Sequence, residues 1–102
     1  MDIIIETVHF DADEKLLDLV REKVGKFEHL FDGITRAEVY LKLEEEHHHI
    51  KDKVVEIKLN VPNNTLFTSD SEKTFESALA ESVNSMRTQL TRYKEKLKDP
   101  RD

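Results

Sequence analysis

Two stretches of helical period are set among short runs that alternate or are β-branched. Ile3, Ile4 and Ile5, with Thr7 and Val8, form a run too short for a helix, which predicts a strand over about residues 2–8. Asp11 or Asp13 can then cap a helix. In it Leu16, Val20, Val24, Phe27 and Phe31 recur at spacings of three and four, an apolar face reaching about residue 30. Ala37, Val39, Leu41 and Leu43 alternate with Glu38, Tyr40 and Lys42, the period of a half-buried strand. Val55, Ile57, Leu59 and Val61 repeat that pattern against Glu56, Lys58 and Asn60. The intervening EEEHHHIKD, residues 44–52, is a polar connection suited to a hairpin. Pro62, Asn63 and Asn64 supply the next turn, and Leu66-Phe67-Thr68 a short fourth strand.

The last element has the strongest period. Phe75, Leu79, Val83, Met86, Leu90, Tyr93 and Leu97 are again three or four residues apart. Ser71 can cap its start; Thr74 stands where a capping box would need Glu or Gln, so that motif is absent. A helix of about 25 residues would be roughly 38 Å long, more than a small sheet is wide, so its C-terminal turns should project. The order β-α-β-β-β-α predicts an α+β two-layer sandwich: a four-stranded sheet with both helices packed on one face.

With 102 residues, the chain is long enough for one modest core, so residues 1–102 are expected to form a single domain with an ordered part of about 1–98. No apolar run approaches the roughly 20 residues of a membrane span. The acidic N-terminus lacks a basic leader, so a cytoplasmic protein without membrane association is expected. The absence of cysteine excludes disulfides, thiol catalysis and thiolate metal sites.

Charge changes the picture. The formal net charge is −6, yet between Arg87 and Lys98 the five cations Arg87, Arg92, Lys94, Lys96 and Lys98 face one carboxylate, Glu95. On a wheel of 100° per residue, Arg87, Lys94 and Lys98 share a stripe beside the apolar face, while Arg92 and Lys96 lie near the opposite side. On the first helix Lys23 and Lys26 share a flank with Lys15 close by. Glu14, Asp18 and Glu28 take other flanks, and Glu22 sits at the back. Cations at a helix C-terminus also complement the macrodipole in proteins that bind nothing. Sorting of charge on a second helix favours an anionic partner, phosphate backbone first. If the helices lie side by side, these basic flanks either line the groove between them or face outward, depending on packing.

Three stretches in this setting resemble a known family. Lys23-Val24-Gly25-Lys26-Phe27-Glu28-His29-Leu30-Phe31-Asp32-Gly33-Ile34, the strand Ala37–Leu43, and Gln89-Leu90-Thr91-Arg92-Tyr93-Lys94-Glu95-Lys96-Leu97-Lys98 together resemble the short ribosome hibernation-promoting factors. These are also called ribosome-associated translation inhibitors or sigma-54 modulation proteins, and their fold is like that of double-stranded-RNA-binding domains. The resemblance implies a bacterial protein that binds the small ribosomal subunit, its rRNA and ribosomal proteins, during stress or stationary phase. There its basic helices would occupy the channel used by messenger and transfer RNA and inhibit translation without chemistry. The implied RNA-binding residues are Lys23, Lys26, Lys42, Arg92, Lys94, Lys96 and Lys98, with Arg87 offset from a family basic position. The acidic 44–52 connection departs from the pattern and should point away from RNA or toward a ribosomal protein. The chain stops soon after the basic helix, so any dimerisation of ribosomes would need a separate dimerising factor.

Rival chemistry is thin. His47, His48 and His49 with Glu44, Glu45 and Glu46 carry metal-ligating groups, but neighbours on a strand alternate faces and at most two of the histidines converge. A solvated hairpin is expected there, with no metal and no cofactor. No nucleophile is paired with a base and no glycine-rich phosphate loop is present, so neither catalysis nor a small-molecule substrate is expected. The competing class is a protein-interaction module, such as sigma-factor modulation, acting through the acidic surface and the terminal helix.

Overall fold

The computed structural model describes residues 1–44 and 52–98. Strands β1 (Asp2–Val8), β2 (Arg36–Leu43), β3 (Lys53–Val61) and β4 (Asn64–Glu72) form one sheet in the order β1-β2-β3-β4. β1 and β2 are parallel, joined by helix α1 (Glu14–Gly25) and a one-turn helix α2 (Phe27–Leu30); the other two pairings are antiparallel. Helix α3 (Phe75–Lys98) closes the chain. The α+β sandwich with its helices on one sheet face is the observed fold.

Alternation decides which side of the sheet is covered. Ala37, Val39 and Leu41 of β2 and Val55, Ile57 and Leu59 of β3 are fully buried, and they meet Val20, Val24 and Phe27 from α1 and α2 and Leu79, Met86 and Leu90 from α3. Glu38, Tyr40, Lys42, Glu56, Lys58 and Asn60 alternate with them and occupy the opposite, open face. One polar pair is built into the core. The hydroxyls of Thr68 and Ser82 share a 2.7 Å hydrogen bond, and Ser82 Oγ donates to the Val55 carbonyl at 3.4 Å, tying α3 to β3 and β4.

Three local expectations change. Asp13, rather than Asp11, caps α1, its Oδ1 accepting from the Leu16 N–H at 2.9 Å. The helix predicted to about residue 30 is interrupted at Lys26. That residue keeps right-handed helical angles (φ −69°, ψ −16°), so the backbone tightens and still delivers Phe27 to the core, 1% exposed. β4 is longer than Leu66–Thr68, and this removes Ser71 as a cap: it pairs with Val54 inside the strand. Thr74 takes that role, its Oγ1 accepting from the Ser77 N–H at 3.1 Å. The turn between β3 and β4 uses Asn63 at φ 63°, a left-handed conformation that Asn tolerates.

Candidate nucleic-acid interface

The buried stripe of α3, Ala78, Leu79, Ser82, Val83, Met86 and Leu90, fixes the helix's rotation on the sheet. Every other position is placed by that choice. Arg87 lies about 60° around the helix from Leu90, Lys94 and Lys98 follow on the same flank, and Arg92 and Lys96 point to solvent. Leu90 is 0% exposed and Leu97 58%, so the apolar seam runs out and the final turn, Glu95 to Lys98, projects from the sheet. Four of the five α3 cations are exposed and Lys94 is half-buried.

α1 and α3 run side by side in the same direction. Phe10 and Phe75 stack at one end, ring centroids 4.6 Å apart, and Phe31 meets Tyr93 edge-on at 5.4 Å at the other. Tyr93 is thus a packing residue, half-buried, with its hydroxyl donating to the Pro62 carbonyl at 2.8 Å. Gly33 belongs to this corner, because a Cβ there would lie 2.6 Å from the Phe31 ring. The Phe31-Asp32-Gly33-Ile34 stretch therefore has a packing role, with Ile34 buried beneath.

Between the aromatic pairs, Lys23 of α1 and Arg87 of α3 line one groove. Lys23 and Arg87 thus share one groove, a placement that the sequence alone left open. The groove is graded in charge along its length. Lys15 at its N-terminal end lies among Asp11, Asp13 and Glu76, whereas Lys26 and Lys94 lie toward the other end, beyond Lys23 and Arg87. Both helix C-termini are at that end, and cations in the last turns of each offset the paired negative dipole ends. Arg87, roughly three turns from the end of α3, and Arg92 lie outside the reach of that effect.

Ion pairing separates the candidate cations of the helices from those of the sheet, Arg21 of α1 being paired with Asp18 at 3.0 Å. On the open sheet face Lys42 Nζ is 2.9 Å from Glu56, and Arg36 is 3.6 Å and Lys58 4.0 Å from Glu38; at the start of β3 Lys53 is 2.8 Å from Asp52. Among the described residues, no carboxylate lies within 4 Å of Lys23, Lys26, Arg87, Arg92, Lys94, Lys96 or Lys98. Like charges also stand one helical turn apart, at Lys94 and Lys98 and at Arg92 and Lys96, an arrangement that costs a few tenths of a kcal/mol per pair. Glu95 shares a shallow depression with Arg87, Thr88, Thr91 and Arg92 without closing an ion pair.

The candidates therefore separate. Seven belong to the helical layer; Lys42 is on the far side of the sheet and already matched by Glu56. Tyr40, also on that side, donates to Glu38 Oε1 at 3.0 Å, and Asn60 Nδ2 donates to Glu38 Oε2 at 3.3 Å. These bonds, Tyr40's first, hold the Glu38 carboxyl below the usual carboxylate range, and the same contact raises the Tyr40 phenol. Leu19, Glu76, Ala80 and Asn84 did not stand out in the sequence; for the last three the signal was only that they share a wheel sector with Arg87. The metal reading of His47, His48 and His49 falls outside the described residues. Among the described residues no cluster of His, Asp and Glu could hold a metal ion, and no helix is long and apolar enough to cross a membrane.

A family model described as sigma 54 modulation protein / S30EA ribosomal protein matches residues 3–98. A search of the curated proteins finds no match. Among solved structures, the N-terminal domain of Protein Y from Thermus thermophilus is similar at 21% identity and TM-score 0.78, the match covering 91% of this chain and 99% of that one. A ribosomal subunit interface protein from Coxiella burnetii is similar at 20% identity and TM-score 0.80, with 93% and 99% covered. Both share the fold.

Proposed function

The chain belongs to the sigma 54 modulation protein / S30EA ribosomal protein family, and from that premise we propose that it is a cytoplasmic, non-catalytic protein that silences ribosomes by seating its helical layer on RNA of the small subunit. The two basic flanks occupy the channel that messenger and transfer RNA would use. Occupancy excludes both ligands and stops initiation under stress or in stationary phase. The observation that supports this most is the division of cations: those on the open sheet face are matched by carboxylates, whereas among the described residues Lys23, Lys26 and the five cations of α3 are not, Arg21 of α1 being paired with Asp18.

The physics suits a site that is crowded with phosphate. Each Lys or Arg laid on phosphate releases condensed counterions, which drives binding even by a net-negative protein. Such contacts orient the molecule and read little sequence. Specificity then comes from the shape of two rigid parallel helices and from any base that enters the groove between them.

Competition on purified small subunits tests the reading. Transfer RNA bound at the decoding region should be displaced stoichiometrically by the protein at low salt and retained at high salt. Simultaneous binding of both at saturation would contradict channel occupancy.

A further inference from the structure

The groove between α1 and α3 is more than a charged seam. Its floor is apolar, made by Leu19 of α1 and Leu79, Ala80 and Val83 of α3, and its volume is about 190 Å³. That is small beside the roughly 300–1,000 Å³ of cofactor and drug pockets, and suits one flat heterocycle. Lys23 and Arg87 stand on it from opposite helices. Asn84 Oδ1 accepts from Arg87 Nη1 at 3.0 Å, holding the guanidinium against the helix while its other donors stay open. Among the described residues Glu76 is the one carboxylate lining the groove, at the end away from Lys26 and Lys94.

We propose that this groove receives a single unstacked, amino-bearing nucleobase of the bound RNA, with Arg87 as the residue that stacks on it and Lys23 and Arg87 neutralising the flanking phosphates. The inference rests on the RNA-binding reading above and adds a specificity determinant to it. Apolar floors and guanidinium planes are what splayed-out RNA bases pack against. Glu76 repels phosphate from its end, so the backbone lies toward the basic end. The base edge then meets the acceptor oxygens of Glu76 and Asn84, which match the two-proton exocyclic amine of adenine or cytosine; uracil offers only a single N3–H set between two carbonyls that the same oxygens repel. Asn84 acts as a positioning residue.

The test uses the free protein with defined probes: single-stranded hexa-adenylate, hexacytidylate and hexauridylate, and inorganic polyphosphate of matched charge. Methyl resonances of Leu19, Leu79 and Val83 report on the groove. Adenylate and cytidylate should shift them, and polyphosphate and uridylate should not. Ala80→Leu fills the groove without altering charge and suits a helix, so it should weaken adenylate binding about tenfold, the scale of one lost base stack. Arg87→Lys should lose a similar factor while keeping the salt dependence. Polyphosphate reproducing the methyl shifts, uridylate matching adenylate, or Ala80→Leu binding as tightly as the native chain would each overturn the inference. Co-sedimentation of the native chain with small subunits is scored separately, so the ribosomal reading can stand when the groove inference falls.

Discussion

Neutralising the projecting end of α3 gives the sharpest quantitative expectation. Lys94, Lys96 and Lys98 have no carboxylate partner among the described residues, and they lie beyond the last buried residue, Leu90. Changing all three to Gln leaves the core untouched. The fold should tolerate it: removing last-turn cations costs about 0.3–1 kcal/mol each near the helix dipole, partly offset by relief of the Lys94–Lys98 repulsion. Binding should respond far more. With seven phosphate contacts and a coefficient of about −0.7 per contact, the log–log salt slope is about −5; with four contacts it is about −3. The lost slope of about 2 corresponds to roughly a hundredfold weaker binding near 0.1 M salt, relative to convergence near 1 M. Fluorescence titration against purified small subunits across a salt series measures both numbers, with thermal unfolding as the fold control. A native slope retained by the triple variant would refute the assignment of these residues to phosphate.

Other expectations concern the scaffold. In the buried pair, Thr68→Val or Ser82→Ala alone should each cost about 1–3 kcal/mol in urea unfolding, because one hydroxyl loses its partner; the double variant should cost less than the sum, and strict additivity would refute the coupling. Gly33→Ala drives a methyl into the Phe31 ring and should destabilise by about 1–3 kcal/mol, with loss of the Phe31–Tyr93 contact visible in aromatic shifts. Glu38 has a lowered folded pKa, so its stabilisation is present above the unfolded carboxylate pKa and lost as pH falls through the folded one. Glu38→Gln should therefore flatten the acid limb of stability against pH, and an unchanged limb would contradict the Tyr40 and Asn60 bonds as its cause.

Elements whose buried positions are apolar were readable from pattern alone. β2 and β3 alternate cleanly, and the α3 seam from Phe75 to Leu90 has one period that only a helix satisfies. β4 was truncated for the opposite reason. Its inward positions beyond Leu66 are Thr68 and Asp70, and its outward ones include Thr65, Ser69 and Ser71, so half of a regular strand looks like a loop. The misplaced cap followed from that truncation, since Ser71 reads as a helix start only if β4 ends early. The turn at Lys26 leaves the apolar period intact and so left no mark on the sequence.

The cations of the candidate site were visible as charge on two helices, but their meaning depended on packing. Whether Lys23 faces Arg87 is set by the rotation of both helices on the sheet, which the wheel gives only relative to each helix's own seam. Lys42 shows the reverse limit. Its side of the strand was clear from alternation, but its neutralisation depends on cross-strand register, which places it diagonally next to Glu56.

The central claim is that the helical layer, not the sheet, meets ribosomal RNA. A structure of the chain bound to the small subunit tests it most directly. In that complex α1 and α3 should lie against RNA, with Lys23, Arg87 and Lys94 within reach of phosphates and the Glu38–Tyr40–Lys58 face turned to solvent. A complex in which the open sheet face lies on RNA while the helices face outward would contradict it.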